Sequence, residues 1–489
     1  MSAASTSIVP RVDLSGTWTD NFGLTGSNQQ SAEIWQLAPG LSFTHDSPFE
    51  HAVLDYQARE LYFTAGQYGD QHALIHSGSL FSDTKLIPQW FDLDLAGLRT
   101  QSAANPTQAV NNNYLFPTQN VANSTSGSIE PILRHSFRLL KIDAEYTRSF
   151  SHNQQQQGQP TDLFANSNVS DAQAGVASVD AKAPVTWSAR YERTQTDYNL
   201  AGFQPYKNEI ATADLGYLLT PSIRLLAHGG KESDPFLGVS TGGLGSTFWA
   251  AGFDWSPDKN NDLKVLAGRR FFGNSYEAHW RHQSRLLNVQ ANYTEQPATQ
   301  DGLLASQSLT PQQAIQPLNI PGQQGFVRVS PDVFLQKQLD ARVALTGRLT
   351  AVGVTIESQQ RTYITVNGVQ VPQSGGAVAD DRERSVSVFA TRRLGPVTQA
   401  QLIASYSNVD LREGTGYQYK DKLVTASISR RLGAWTALSL LAEHDERSGG
   451  ITPYKVNMVT LDFNMTFGHT PGQGPMGTSS ITGGGLISP

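Results

Sequence analysis

Glu277, His279 and Arg281 stand two residues apart in GNSYEAHWRHQ. In a strand, that spacing puts a carboxylate, an imidazole and a guanidinium on one face. Such a row offers an acceptor, a titratable ring and a bidentate donor to an anionic or sugar ligand; the simpler reading is a solvated ladder whose charges neutralise one another. His282 has the opposite parity. His444 with Asp445 and Glu446, and His45 with Asp46, fall near expected strand ends or turns, where exposure to solvent is the simplest expectation. No His pair has the i, i+4 spacing with a nearby Glu that helical zinc sites use, so no metal site is expected. Cysteine is absent, which removes thiol catalysis, thiolate metal sites and disulfides. No Gly-x-Ser-x-Gly elbow supports serine hydrolysis. Gly229-Gly230 and Gly242-Gly243-Leu244-Gly245 lack the strand-to-helix context of a phosphate-binding loop or dinucleotide fingerprint. The chain is therefore expected to be no enzyme and to carry no cofactor.

The elements that would position these side chains are strands. Period-2 alternation over about ten residues recurs along the chain. Val12, Leu14, Gly16 and Trp18 alternate with Asp13, Ser15, Thr17 and Thr19. Val185, Trp187, Ala189 and Tyr191 alternate with Thr186, Ser188, Arg190 and Glu192. A third copy sets Val289, Ala291 and Tyr293 against Asn288, Gln290, Asn292 and Thr294. A fourth sets Val459, Leu461, Phe463, Met465 and Phe467 against Thr460, Asp462, Asn464 and Thr466. Tight turns such as Asp46-Ser47-Pro48, Thr220-Pro221-Ser222, Leu394-Gly395-Pro396 and Leu432-Gly433-Ala434 alternate with long polar loops at 100–125, 152–172, 296–330 and 363–381.

Alternation alone would suit a soluble sandwich. Short turns on one side and long loops on the other are instead the asymmetry of outer-membrane barrels. The expected fold is all-β: a transmembrane antiparallel up-and-down barrel of about 22 strands, in a range of 18 to 22, with periplasmic turns and extracellular loops. It would occupy 9–467 as one unit, after a short N-terminal segment at 1–8 and before a flexible Gly/Ser/Pro-rich tail at 468–489. Residues 1–8 have neither the basic nor the apolar region of a signal peptide, so one is expected to have been removed.

Composition agrees. The chain has 489 residues, 36 basic and 42 acidic groups, a net charge of −6, a pI near 6.0 and a mean hydropathy of −0.35. No run approaches the ~18 apolar residues of a spanning helix, and the charge balance argues against nucleic acid as a partner. Trp18, Trp35, Trp90, Trp187, Trp249, Trp255, Trp280 and Trp435 lie near strand ends and suit interfacial girdles. The loop at 296–330 contains a helix start, with Thr310 as N-cap and Pro311 at the first position, that could fold inward.

Lumen-lining candidates are Arg190, Glu192, Glu277, His279, Arg281, Asn288, Gln290, Asp462 and Asn464. Rim candidates for anionic lipid headgroups or an acidic polysaccharide are Arg269, Arg270, Arg392, Arg393, Arg430 and Arg431, and outer-membrane lipid and lipopolysaccharide are the expected surroundings.

Three stretches are similar to outer-membrane β-barrel proteins associated with the PEP-CTERM and exosortase system. They are Thr17–Ser47, with its Thr-Asp-Asn segment; Phe248–Glu295, containing Gly-Arg-Arg-Phe-Phe-Gly-Asn-Ser-Tyr; and Ser330–Leu345. The resemblance implies a Gram-negative outer-membrane location and a link to exopolysaccharide genes, and it assigns no residue a role. The leading expectation is a porin-like channel or secretion-associated barrel for exopolysaccharide export or surface assembly, with polysaccharide and periplasmic export proteins as partners. The alternatives are a non-conducting docking barrel with a plugged lumen and, more weakly, a barrel-embedded lipid or polysaccharide hydrolase or lyase that would depend on His279.

Overall fold

The alternation is realised as 22 strands hydrogen-bonded into one antiparallel sheet that closes on itself. Closure is made by β1 (Ser5–Thr19) and β24 (Tyr454–Thr466), in register from Arg11 opposite Thr466 to Thr19 opposite Met458. An even strand number makes an antiparallel seam possible. Each other barrel strand pairs with its chain neighbours, in an up-and-down order. Two further strands, β18 (Thr365–Val366) and β19 (Val369–Gln370), form a separate ribbon.

The computed structural model describes residues 4–467 apart from 66–68, 104–120, 156–165, 181, 200–204, 234–244, 300–332, 364, 367–368, 371–379, 412–416 and 451. The expected helix at Thr310 and the tail at 468–489 lie outside the described residues.

Connections alternate between the two ends of the barrel. Short turns such as 47–49, 221–222, 259–260 and 347–349 occupy one end, with the start of β1 and the finish of β24. The other end carries the longer connections together with the two-residue turn 271–272. The two ends are called the turn end and the loop end.

The polarity of the wall is that of a membrane-spanning barrel. Leu14, Leu37, Leu41, Leu215, Val354, Ile428 and Leu461 stand exposed on the outer face, while their polar neighbours in sequence turn inward. Exposed tryptophans bracket this apolar belt. Trp18, Trp35 and Trp249 lie near the loop end, and Trp90, Trp187, Trp255, Trp280 and Trp435 near the turn end. Amphipathic rings are favoured at both membrane–water boundaries, which accounts for the two rows.

Several boundaries differ from the sequence expectation. Ser5–Ile8 belong to β1, paired with Asp46 to Phe43 of β2 (Ala32–Asp46). Strands also run into the expected loops: β5 (Phe91–Ala103), β6 (Val121–Ser136), β7 (Leu140–Gln155), β8 (Ser167–Ser178), β15 (Leu287–Thr299) and β17 (Thr350–Tyr363). These extensions continue the ladder with polar residues, as where Ser124 faces Asn153 and Ser126 faces Ser151. Past the apolar belt a strand loses its outward hydrophobic partners, and its alternation with them.

Two glycines allow close approach on the inner wall of β12 (Ser246–Asp258) and β13 (Asn261–Arg270). A Cβ on Gly252 would sit 1.8 Å from the Val265 carbonyl oxygen, and one on Gly268 1.9 Å from that of Trp249. Gly252→Ala is expected to destabilise the barrel by at least the ~1–3 kcal/mol typical of overpacking. Gly395→Ala, whose Cβ would meet nothing within 4 Å, is the control. Urea titration of vesicle-embedded protein should show a lowered midpoint for the first and little change for the second.

Candidate functional site: the barrel lumen

Every second side chain of a barrel strand faces the interior. On β14 (Gly273–Gln283), Tyr276 and Trp280 are exposed outside, so Glu277, His279 and Arg281 take the inner face. Neighbouring strands occupy all three. Glu277 accepts from Lys264 Nζ at 2.7 Å. His279 Nδ1 lies 2.5 Å from Asn292 Oδ1 and its Nε2 3.8 Å from Asp262. Arg281 is in register with Asp262 and Gln290, and Asn288 with Gln283. The row is one side of a cross-strand ladder of alternating charge.

Arg190 and Glu192 occupy the inner face of β9 (Val185–Tyr198). Arg190 donates to Gln173 at 3.2 Å and lies 3.6 Å from Asp143. Asp462 and Asn464 work at the seam: Ser439 donates to Asp462 at 3.3 Å, and Asn464 Nδ2 donates to Asp13 of β1. The nine lumen candidates thus fall into three separate places on the wall.

A run of like charge lies elsewhere on the inner wall. Asp83 of β4 (Gly69–Ile87) is in register with Asp94 of β5, and Asp94 with Glu130 of β6. Glu145 of β7 feels the charges of Glu130 and of Asp171 on β8, and Glu192 feels those of Asp171 and Glu145. Asp83, Asp94, Glu130, Glu145, Asp171 and Glu192 therefore form a belt of like charge across adjacent strands. Arg134, Arg190 and Arg270 are opposite charges beside it. A concave surface lined by one sign of charge concentrates counter-ions. Of this belt only Glu192 was recognisable from sequence. The one signal available was acid alternating with leucine in FDLDLAG.

Another sector is rich in serine, set beside carboxylates: Ser385 donates to Glu357 at 3.4 Å. Between β20 (Asp381–Arg393) and β21 (Thr398–Leu411), Ser385 faces Ser407 and Ser387 faces Ser405. Between β22 (Tyr417–Arg431) and β23 (Thr436–Gly449), Ser429 faces Ser439. These hydroxyls can donate and accept.

The connection between β1 and β2 folds into the barrel. Phe22 and Leu24 are buried against the inner-face residues Ile34, Leu61, Phe63 and Met458, with Val456. The Phe22 and Phe63 ring centroids lie 5.4 Å apart. Asn21 locks the turn, donating to the carbonyls of Thr25 at 2.8 Å and Lys455 at 2.9 Å and accepting from Thr25 N at 3.1 Å. Asp20 accepts from Asn457 N at 2.8 Å and from Asn457 Nδ2 at 2.6 Å. Leu24 adopts a left-handed φ of 48°.

Beside it lies a buried ionic group. Arg447 Nε and Nη2 each donate to Asp421 at 2.8 Å, and its guanidinium lies 4.3 Å from the Tyr419 ring centroid and 5.6 Å from that of Tyr454. Tyr454 donates to Asp445 at 3.0 Å. The expectation of solvent exposure for His444, Asp445 and Glu446 is corrected here. Asp445 is 1% exposed because strand parity turns it inward beneath Tyr454, and His444 is half-buried with Nδ1 2.7 Å from Asn457.

The rim arginines divide. Arg392, Arg393, Arg430 and Arg431 are exposed at the turn end, and Arg269 is exposed beside Trp249 at the loop end. Arg270 is a correction: it is no rim group. Parity turns it inward to donate to Glu232 from Nε at 2.9 Å and from Nη2 at 2.5 Å. Glu232 is 1% exposed, so the pair is structural.

No family model matches the chain, and no curated protein matches it. Among solved structures it is similar to the FrpB iron transporter from Neisseria meningitidis (9% identity, TM-score 0.48, covering 94% of this chain and 82% of that one). It is similar also to the siderophore receptor PirA from Pseudomonas aeruginosa (9%, 0.45, 94% and 80%). A third similar structure is OccK7 from Pseudomonas aeruginosa (11%, 0.37, 96% and 100%). The strand ladder establishes the fold of this chain as a closed antiparallel barrel of the membrane-spanning type.

Proposed function

We propose that the protein is an outer-membrane channel of a Gram-negative bacterium, with its loop end outside the cell. Its lumen passes polar solutes, with cations favoured over anions and neutral hydroxyl-rich chains admitted. The observation that carries this reading is the carboxylate belt from Asp83 to Glu192 on the inner wall. Fixed carboxylates draw cations into a pore and repel anions, and they leave uncharged sugars unopposed. The paired serines offer partners to successive sugar hydroxyls, and the resemblance to exopolysaccharide-locus barrels supports an exopolysaccharide as the chain exported. Polysaccharide and periplasmic export proteins are then its partners.

The test is the reversal potential of purified protein in a planar bilayer under a potassium chloride gradient. Wild-type protein is expected to favour potassium. The triple variant Glu130→Gln, Glu145→Gln, Asp171→Asn is expected to shift the reversal potential most of the way to zero with the conductance largely kept. Equal selectivity in the two proteins contradicts the reading. Exopolysaccharide passage predicts transient current block by a soluble neutral glucan on the turn side, and its absence at all concentrations contradicts that part.

A second reading has its own observation, the inward segment around Phe22 and Leu24. If it closes the lumen, the barrel is a docking structure for export machinery, silent in bilayers until that segment is displaced.

A further inference from the structure

The outer wall of the barrel carries a groove. Its lining comes from β3 (Glu50–Ala65) through β8, and its volume is about 610 Å³, within the ~300–1,000 Å³ of ligand-holding clefts. Glycines create it. Gly78 on β4, Gly97 on β5 and Gly127 on β6 share the outward face with exposed Tyr56 and Phe150. At Gly127 a Cβ would meet Phe150 Cε1 at 2.7 Å, so glycine there seats the phenyl ring.

Gly97 is different. A Cβ there would meet Leu80 Cβ at 3.6 Å and the Ser126 carbonyl at 4.0 Å, which are ordinary contacts. Nothing in the wall demands glycine, and its visible effect is an open floor. Leu80, Leu95 and Ile129 form its apolar walls, and the polar Thr125 and Asn168 line it as well.

Two cations also line it. Arg99 pairs in register with Gly78, on the outward face, and its Nε is buried without a hydrogen-bond partner among the described residues. Arg148 faces outward beside Ile129, exposed, and donates to Ser170. Each stands eight residues from the turn-end start of its strand, at Phe91 and Leu140. With a rise of about 3.3 Å per residue and a tilt of about 40°, that is roughly 20 Å across a belt about 25 Å tall. Both guanidiniums therefore lie toward the loop-side edge of the apolar belt, at headgroup level, with the apolar groove beside and beneath them.

We infer that this groove holds a phosphorylated glycolipid of the outer leaflet, the lipid A part of lipopolysaccharide, with an acyl chain over Gly97 and a phosphate between Arg99 and Arg148. Guanidinium forks bind phosphate through paired charged hydrogen bonds, and an apolar groove ending at two cations is complementary to an anionic lipid. The inference rests on the proposed outer-membrane orientation with the loop end outside.

Native mass spectrometry of purified full-length protein in detergent, with added bisphosphorylated lipid A, tests it. Wild-type protein is expected to retain one lipid A molecule. Gly97→Leu, which fills the floor, and Arg99→Ala/Arg148→Ala are each expected to lower that occupancy at least tenfold while keeping the heat-modifiable folded band on gels. Dephosphorylated lipid A is expected to be lost from all three. Equal retention by the three folded proteins, or arginine-independent retention, overturns the site. Arginine-dependent retention of phosphatidylglycerol in preference to lipid A overturns the lipid A assignment. Protease accessibility of the loop end in intact cells reports separately on orientation, so a failed orientation is distinguished from a failed groove.

Discussion

Arg447→Ala is expected to destabilise the barrel by about 3–5 kcal/mol, the usual cost of removing one partner from a buried ion pair. Asp421 would lose both of its guanidinium hydrogen bonds, and the rings of Tyr419 and Tyr454 would lose the cation they flank. Asp445 would lose a nearby positive charge while remaining buried. Arg447→Lys restores charge but not the planar fork, and should recover only part of the loss. The double variant Arg447→Met/Asp421→Leu removes both charges and should be more stable than Arg447→Ala. Urea unfolding in lipid vesicles, followed by tryptophan fluorescence, measures all three. A loss below about 1 kcal/mol for Arg447→Ala, the range of an exposed pair, would show that the group is solvated.

The second large effect concerns the inward segment. Replacing residues 22–29 with a short glycine-serine linker should raise single-channel conductance several-fold, because it removes Phe22 and Leu24 from the interior near the loop end. Asn21→Ala should act in the same direction with a smaller amplitude and more current noise. It breaks the bonds to Thr25 and Lys455 that hold the turn but leaves the apolar side chains in place. If neither change alters conductance, the segment does not restrict the pore.

The alternation at Val459–Phe467 and Val185–Glu192 was legible because barrel parity is a local property: each residue's face follows from its neighbours. The strand number followed from the turn and loop asymmetry. Boundaries were less legible where polar residues carry the ladder past the apolar belt, as at Ser124 and Ser126 opposite Asn153 and Ser151. Anything that depends on register between strands was not legible at all. Asp83, Asp94 and Glu130 become neighbours only once two hairpins are aligned. Arg270 looked like a rim group because Glu232, the carboxylate that buries it, lies on another strand. Phe22 and Leu24 lie past Thr19, where the period stops, and an inward fold leaves no period of its own. The lipid-side groove was hidden for a related reason: Gly78, Gly97 and Gly127 are unremarkable singly and form a floor only side by side.

The proposed function requires a cation-preferring path through the barrel. Single-channel recording of wild-type protein in a planar bilayer under a potassium chloride gradient tests it most directly. Discrete, ohmic steps whose reversal potential reports potassium preferred over chloride are expected. Silence from both the wild type and the variant lacking residues 22–29, or steps that favour chloride, would contradict it.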